Sequence, residues 1–318
     1  MYSLIISTSP RPGVICRAGG DLCDVAALDT SEEEHWLCSL RGKLKREAQA
    51  VTNLVAVGDE VIFTPLHEGQ GVIESIGKRR SKLSRQNTKG SMVAEQVLAV
   101  NIDYAIIVMA CHAPDYNPRR LDWHLTAALA GELAPVIVLS KIDLPQGAAA
   151  REDIAPYRLL GYPVIATSTV TGEGLAELGE LLAGKRGVLV GSSGVGKSSL
   201  INAMDPHLQL RTGELRQRFQ KGRHVTTAAE LLRLQNGAWL IDTPGVRSFA
   251  LWDNQNDAVE NQYSEFATYA HLCRFSDCSH THEPGCEVRA AVGRGEIEED
   301  RYQSYLKIHK RQKGRRKW

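Results

Sequence analysis

The chain has 318 residues, 43% hydrophobic and 24% charged, with a formal net charge of +1. The length predicts two or three domains, and the composition allows a packed core. No apolar run is long enough to span a bilayer and MYSLIISTSP lacks a signal peptide's basic-then-apolar form, so a cytoplasmic protein with no membrane attachment is expected.

Residues 1 to about 90 are rich in short alternating segments. GVICRAG, CDVAALD, NLVAVGDEVIFTPL and GQGVIESIG read as strands broken by Gly, Asp and Pro, and their spacing predicts a small barrel. No strong helix signal precedes Glu95. The stretch 78–92 is basic and poor in large apolar residues, and reads as a linker or loop. The pattern then changes. IDYAIIVMA, APVIVLSKIDL, YPVIATS and KRGVLVGSS are apolar runs of the kind found in buried parallel strands. NPRRLDWHLTAALAGE, with Pro118 near its start, and GEGLAELGELLAG have helical spacing. AELLRLQNG and AWLIDTPG read as two further strands. Strands alternating with helices predict an α/β layer fold with a mainly parallel sheet. Beyond about 250 the chain is polar, then rich in Cys and His, then helical and basic. The boundaries expected are 1–90, 91–249 and 250–318.

GSSGVGKS at 191–198 fits the phosphate-loop pattern GxxxxGK[ST]. The glycines let N–H groups converge on phosphate oxygens from Gly191 through Ser192, Ser193, Gly194, Val195, Gly196 and Ser199. Lys197 would sit on the β/γ-phosphates, and the Ser198 hydroxyl suits Mg²⁺. LSKIDL follows a buried strand and is close to the guanine-reading [NT]KxD pattern, with Ser140 where Asn is usual. Asp143 would accept from guanine N1–H and its exocyclic amine, a donor pair adenine lacks. Lys141 and Ile142 would lie along the base. ATSTVTGEGL offers Ser168 and Thr169 as further guanine contacts. LIDTPGVRSF matches DxxG, so Asp242 would hold Mg²⁺ and the Gly245 N–H would meet the γ-phosphate. In KGRHVTTAAE, Thr227 is favoured as a Mg²⁺ ligand, with Thr226 as runner-up. These motifs make a GTPase set in the order base, base, phosphate, switch, switch: a circularly permuted GTPase domain. A P-loop ATPase or kinase, and an RNA-binding module with a vestigial nucleotide site, are the competing readings.

Seven cysteines are present, and three of them crowd between 273 and 286. Cys273-x4-Cys278-x-His280-x5-Cys286 supplies four ligands for one closed structural Zn²⁺ site, with His271 and His282 as nearby substitutes. Cys16, Cys23, Cys38 and Cys111 read as small core residues.

Together these residues resemble the RsgA (YjeQ) family of ribosome small-subunit-dependent GTPases. VGDEVIF with GVIESIGKRRSKLSRQ is similar to the family's OB barrel and its exit loop, KGRHxTT and DTPGVRSF to its switches, and CRFSDCSHTHEPGC to its zinc motif. The resemblance implies an OB-fold barrel, a permuted GTPase domain and a zinc-binding helical domain. It also implies a late assembly factor that binds the small ribosomal subunit and its rRNA, cycles between GTP and GDP, and hydrolyses GTP faster when bound. A monomer is expected. Val225 stands where the family has Thr, and Val246, just after DxxG, cannot orient water; His224 is the substitute the resemblance suggests. The basic stretches, including KIHKRQKGRRKW, would contact phosphates.

Overall fold

The computed structural model describes residues 9–19, 22–30, 34–47, 54–67, 69–89, 92–208, 229–242 and 259–315. The first strands are β1 (Arg11–Gly19), β2 (Leu22–Ala27), β3 (His35–Leu40), β4 (Glu60–Pro65) and β5 (Gln70–Ile76). They close into a barrel in the order β1-β2-β3-β5-β4, with β3 and β5 parallel and the other pairs antiparallel. Alternation fills the interior: Cys23, Val25 and Ala27 of β2 point inward against Ile15, Cys38, Phe63 and Ile73. Only glycine fits at Gly13, where a Cβ would lie 2.6 Å from a Val25 methyl.

Three features here were not expected. HWLCSL is a strand, β3. A short helix, α1 (Gly42–Glu47), follows it. The stretch 78–92 is no linker: β6 (Lys82–Lys89) pairs antiparallel with β7 (Met92–Val100) in a two-stranded ribbon. Its strands lie on either side of residue 90.

The central sheet has six strands in the order β10-β9-β8-β11-β13-β12. They are β8 (Tyr104–Ala110), β9 (Ala134–Ser140), β10 (Val164–Ala166), β11 (Arg186–Val190), β12 (Glu230–Arg233) and β13 (Trp239–Asp242). All pairings are parallel except that of the edge strand β12. Helices α2 (Pro118–Ala130) and α3 (Gly147–Leu159) cover one face, and α4 (Leu175–Leu182) and α5 (Lys197–Met204) the other. Along β8, Ala105, Ile107 and Met109 pack toward α2 and α3, while Ile106, Val108 and Ala110 pack toward α4 and α5. Both faces are buried, which is why these strands read as continuous apolar runs. Pro118 is the first residue of α2, and the Asn117 side chain caps it by accepting from the Arg120 N–H at 3.1 Å.

The chain runs outward through β8, β9 and β10, then returns to add β11 on the other side of β8. The β8/β11 seam is therefore the point where strand order reverses, and ligands of open α/β sheets bind at the carboxyl ends of strands beside such a seam. The barrel is tied to the sheet by ion pairs: Arg186 of β11 reaches Glu60 of β4 at 2.8 Å, and Arg17 of β1 pairs with Glu230 of β12. On the barrel side, Arg79 grips the buried Asp59 with two hydrogen bonds of 2.8 Å.

The C-terminal part contains short helical turns at Val259–Gln262 and Ser264–Phe266, then α6 (Ala267–Ala270), α7 (Glu287–Gly293) and α8 (Glu299–Arg315). Tyr263, Phe266, Tyr302 and Tyr305 form its aromatic core, and it shares one continuous core cluster with α2 and α3. At the junction Arg301 of α8 bonds Asp122 of α2 at 2.5 Å and Glu265 at 2.8 Å, and Tyr157 of α3 donates to Asp122 at 2.7 Å. Burial pushes the Asp122 carboxyl up against the pull of Arg301. Burial also disfavours the Arg301 charge, but its two carboxylates hold that guanidinium well above its ordinary value.

Candidate nucleotide-binding site and metal centre

Three loops leave the sheet at the same edge, after β9, β10 and β11. The loop after β11 is the glycine-rich one. Gly191, Gly194 and Gly196 have φ of 144°, 83° and 97°. At Gly191 a Cβ would lie 2.3 Å from the Val108 carbonyl, so both conformation and space demand glycine. Val195 is buried and anchors the loop, while Ser193 and Gly194 are exposed. Lys197 opens α5, and its Nζ lies 2.8 Å from both the Gly191 and Ser192 carbonyls, which folds the ammonium over the loop. Ser198 and Ser199 follow in the first turn of α5, half-buried. Arg120 of α2 donates to the Ser192 hydroxyl at 2.8 Å. Burial, with the charges of Arg120 and Lys197, pushes the nearby His124 imidazole down to about 4.

The loop after β9 carries Ser140, Lys141, Ile142 and Asp143, and it is bonded to both its neighbours. Ser140 is buried, with its hydroxyl 2.6 Å from the Val195 carbonyl of the glycine-rich loop and 3.2 Å from the Met109 carbonyl. On the other side the Ser168 hydroxyl donates to Asp143 Oδ1 at 2.6 Å and accepts from the N–H groups of Val170 and Thr171, each at 3.1 Å. Ser168 therefore orients a carboxylate instead of offering its proton to a ligand. Thr169 follows it in the same loop. Lys141 has a left-handed φ of 62°, and its ammonium reaches the Ala113 and His112 carbonyls. The Cys111 thiol lies 2.9 Å from the Lys141 carbonyl, and burial followed by the Asp143 charge pushes that thiol up. Arg120 lies in no recognisable motif and has no reading from sequence, and Cys111 reads there only as a small core residue. Asp242 ends β13, which is parallel to β11, so it stands at the same edge. Thr226, Thr227, His224, Val225, Gly245 and Val246 lie outside the described residues.

The second site lies in the C-terminal part. One ligand atom each from Cys273, Cys278, His280 and Cys286 comes within 4.8 Å of all the others. The His280 Nδ1 lies 3.6 Å from the Cys273 sulfur and 3.5 Å from the Cys286 sulfur, and those two sulfurs are 4.0 Å apart. Zinc bonds of about 2.3 Å to sulfur and about 2.0–2.1 Å to nitrogen give tetrahedral edges of roughly 3.5–3.8 Å, so the donor set fits that ion in kind and in size. His271 and His282 are not in the cluster. His280 has a left-handed φ of 53°. Glu283, not anticipated, supports that bend by accepting from the Ser279 N–H and hydroxyl at 3.1 and 2.6 Å and from the Thr281 and His282 N–H groups at 3.1 Å each. Burial pushes the Glu283 carboxyl up, but these donors outweigh it and hold it far below the usual carboxylate range. From α8, Tyr302 and Tyr305 donate to the His280 and Ser279 carbonyls at 2.8 and 2.5 Å. The scattered Cys16, Cys23, Cys38 and Cys111 are all buried.

The model of the RsgA GTPase family matches residues 76–252. The chain belongs to the RsgA GTPase family. It is 39% identical to the small ribosomal subunit biogenesis GTPase RsgA of Gemmatimonas aurantiaca, covering 97% of this chain and 99% of that one. It is likewise 39% identical to the protein of the same name from Thermotoga petrophila, over 96% and 98%. Among solved structures, YjeQ from Thermotoga maritima aligns with a TM-score of 0.76 at 34% identity, covering 96% of this chain and 99% of that one. YloQ, described as a circularly permuted GTPase, shares the fold with a TM-score of 0.73 at 24% identity over 99% of both chains. The permuted order thus has a direct counterpart in the strand order of the central sheet. Among the described residues, no helix is long and apolar enough to cross a membrane.

Proposed function

We propose that this GTPase binds the small ribosomal subunit during its late maturation, hydrolyses GTP faster when bound, and then dissociates. It is a GTP hydrolase by its family. The observation that supports the reading most is the pair of 2.6 Å bonds, Ser140 to Val195 and Ser168 to Asp143, that join a carboxylate-bearing loop to a phosphate loop at one sheet edge. A nucleotide laid along that edge has its phosphates on Gly191–Ser199 and its base beside Lys141 and Asp143. The Asp143 carboxylate then accepts from guanine N1–H and its amine.

In hydrolysis a water attacks the γ-phosphorus in line, the bond to the β–γ bridging oxygen breaks, and GDP and phosphate are released. Lys197 steadies the charge on the β- and γ-phosphates. Ser198, Thr227 and Asp242 would hold Mg²⁺, which when bound neutralises phosphate charge. The Gly245 N–H registers the γ-phosphate. His224 orients the water, since Val246 has no polar atom to do so. One structural zinc on Cys273, Cys278, His280 and Cys286 stands in for a larger core in the C-terminal module. The residue ranges 1–90, 91–249 and 250–318 serve as RNA-docking barrel, GTPase domain and zinc module. The basic stretches at 78–89 and at the C-terminus contact rRNA phosphates in a salt-dependent way. The protein works as a cytoplasmic monomer.

The test is hydrolysis of GTP and ATP by purified protein, with and without small ribosomal subunits. GTP-selective turnover that rises with subunits supports the reading. GTP turnover indifferent to subunits removes the partner, and a preference for ATP removes the role given to Asp143.

A further inference from the structure

The base-reading loop begins with a serine, and the structure specifies what that serine does. Ser140 is 5% exposed, and its hydroxyl faces two carbonyl oxygens, of Val195 at 2.6 Å and Met109 at 3.2 Å. A hydroxyl has one proton, and a carbonyl can only accept. The shorter contact takes that proton. Guanine presents N7 and O6 on its outer edge, and both are acceptors. Ser140 therefore has no proton left for that edge. Two other polar side chains around the loop are committed too: the Cys111 thiol to the Lys141 carbonyl at 2.9 Å, and the Ser168 hydroxyl to Asp143 at 2.6 Å. Among these groups, only the Asp143 carboxylate keeps capacity toward a base, and it accepts. It can read the edge of guanine that donates, and no other.

We infer that Ser140 is a positioning residue that straps the base loop to the phosphate loop through Val195, and that this enzyme leaves guanine N7 unread by that side chain. The inference rests on the assignment of the loop to guanine. An asparagine at the same place has two N–H groups, enough to hold Val195 and reach N7 together. A serine keeps the strap and gives up the second contact.

Calorimetric titration of the full-length protein with GDP and with 7-deaza-GDP, which lacks the N7 acceptor, tests this. The unmodified protein should bind the two within about twofold. Ser140→Asn should prefer GDP over 7-deaza-GDP by about fivefold or more, the worth of one hydrogen bond. Ser140→Ala should weaken both nucleotides by a similar factor and leave their ratio near one, because the strap serves the phosphate loop as much as the base. A fivefold preference of the unmodified protein for GDP would overturn the inference, as would a Ser140→Ala variant that binds both as tightly as the parent. Asp143→Asn separates the two levels of the argument. It should lose GDP whatever Ser140 does, and undiminished GDP binding there would overturn the guanine assignment itself.

Discussion

Arg301 decides whether charge locks the C-terminal module to the central sheet. Its side chain is 6% exposed, and those of Asp122 and Glu265 are 1% and 9% exposed. Arg301→Met keeps an unbranched stem and removes the only cation found between these two carboxylates among the described residues. Breaking a buried pair from one side costs about 3–5 kcal/mol, because the remaining charge is left buried without its counter-charge. At a urea slope of about 3 kcal/mol/M this lowers the unfolding midpoint by roughly 1–1.7 M. The guanidinium also lies 4.5 Å from the Tyr263 ring and 5.5 Å from the Tyr157 ring, so the loss falls at the upper end of that range. Tryptophan fluorescence follows the transition. Trp123 adjoins Asp122 and carries the Arg311 guanidinium over its ring at 4.7 Å, so it reports on this junction. The combined variant Asp122→Asn, Glu265→Gln, Arg301→Met removes all three charges and should recover most of the lost stability. A midpoint for Arg301→Met within roughly 0.2 M of the parent, about the scatter of such fits, would refute the reasoning. So would a triple variant no more stable than the single one.

Three further outcomes are expected. The His124 imidazole, held down to about 4 against an ordinary value of 6.5, is neutral in the folded protein. The unfolded chain protonates first, so this contribution is complete above pH 6.5 and is lost as pH falls toward 4, by about 3 kcal/mol in all at 1.36 kcal/mol per unit. His124→Leu should flatten the stability profile between pH 7 and 4.5, and an unchanged slope would count against it. Glu283→Gln puts an amide donor against N–H groups that need an acceptor; it should weaken zinc retention against a chelator on the order of tenfold, and equal retention would refute the clamp. His224→Ala should lower subunit-stimulated GTP turnover while leaving GDP affinity in place, and unaltered turnover would remove His224 from the mechanism.

Local chemistry made much of this legible in the sequence. A strand buried on both faces must be apolar throughout, so β8, β9 and β11 stand out. A loop that wraps phosphate must have glycines where φ is positive, so Gly191 to Ser198 stands out as well. The Cys and His spacing identified the same four residues that the fold gathers. Elements were missed or misread where the local signal was mixed. In β3, Trp36 and Leu37 alternate weakly beside a run of glutamates. Helix α3 does carry Ala150, Ile154 and Tyr157 on one face, but Pro156 interrupts the pattern. The ribbon of β6 and β7 looked like a linker because KLSRQNTK offers a single large apolar side chain, Leu83. Contacts between distant segments leave no local trace at all. Ser140 meets Val195 55 residues later, and Asp122 meets Arg301 179 residues later.

Permutation gives those distant contacts a consequence. Asp242 ends the last strand of the sheet, so the motif proposed to sense the γ-phosphate continues into the C-terminal module. The module is also held from the opposite side. Arg301 binds both Glu265 and Asp122 of α2, and two residues earlier on the same helix Arg120 bonds Ser192 of the phosphate loop. A path of covalent chain and a path through α2 thus connect the candidate nucleotide site to the C-terminal module. A change at the phosphates that shifts the segment after Asp242 must move the module against α2 or be resisted by the buried ion pair. Because α2 touches the phosphate loop, the resistance acts back on the nucleotide. Linkage then requires that whatever holds the module in place also alters nucleotide affinity, by the same factor in both directions.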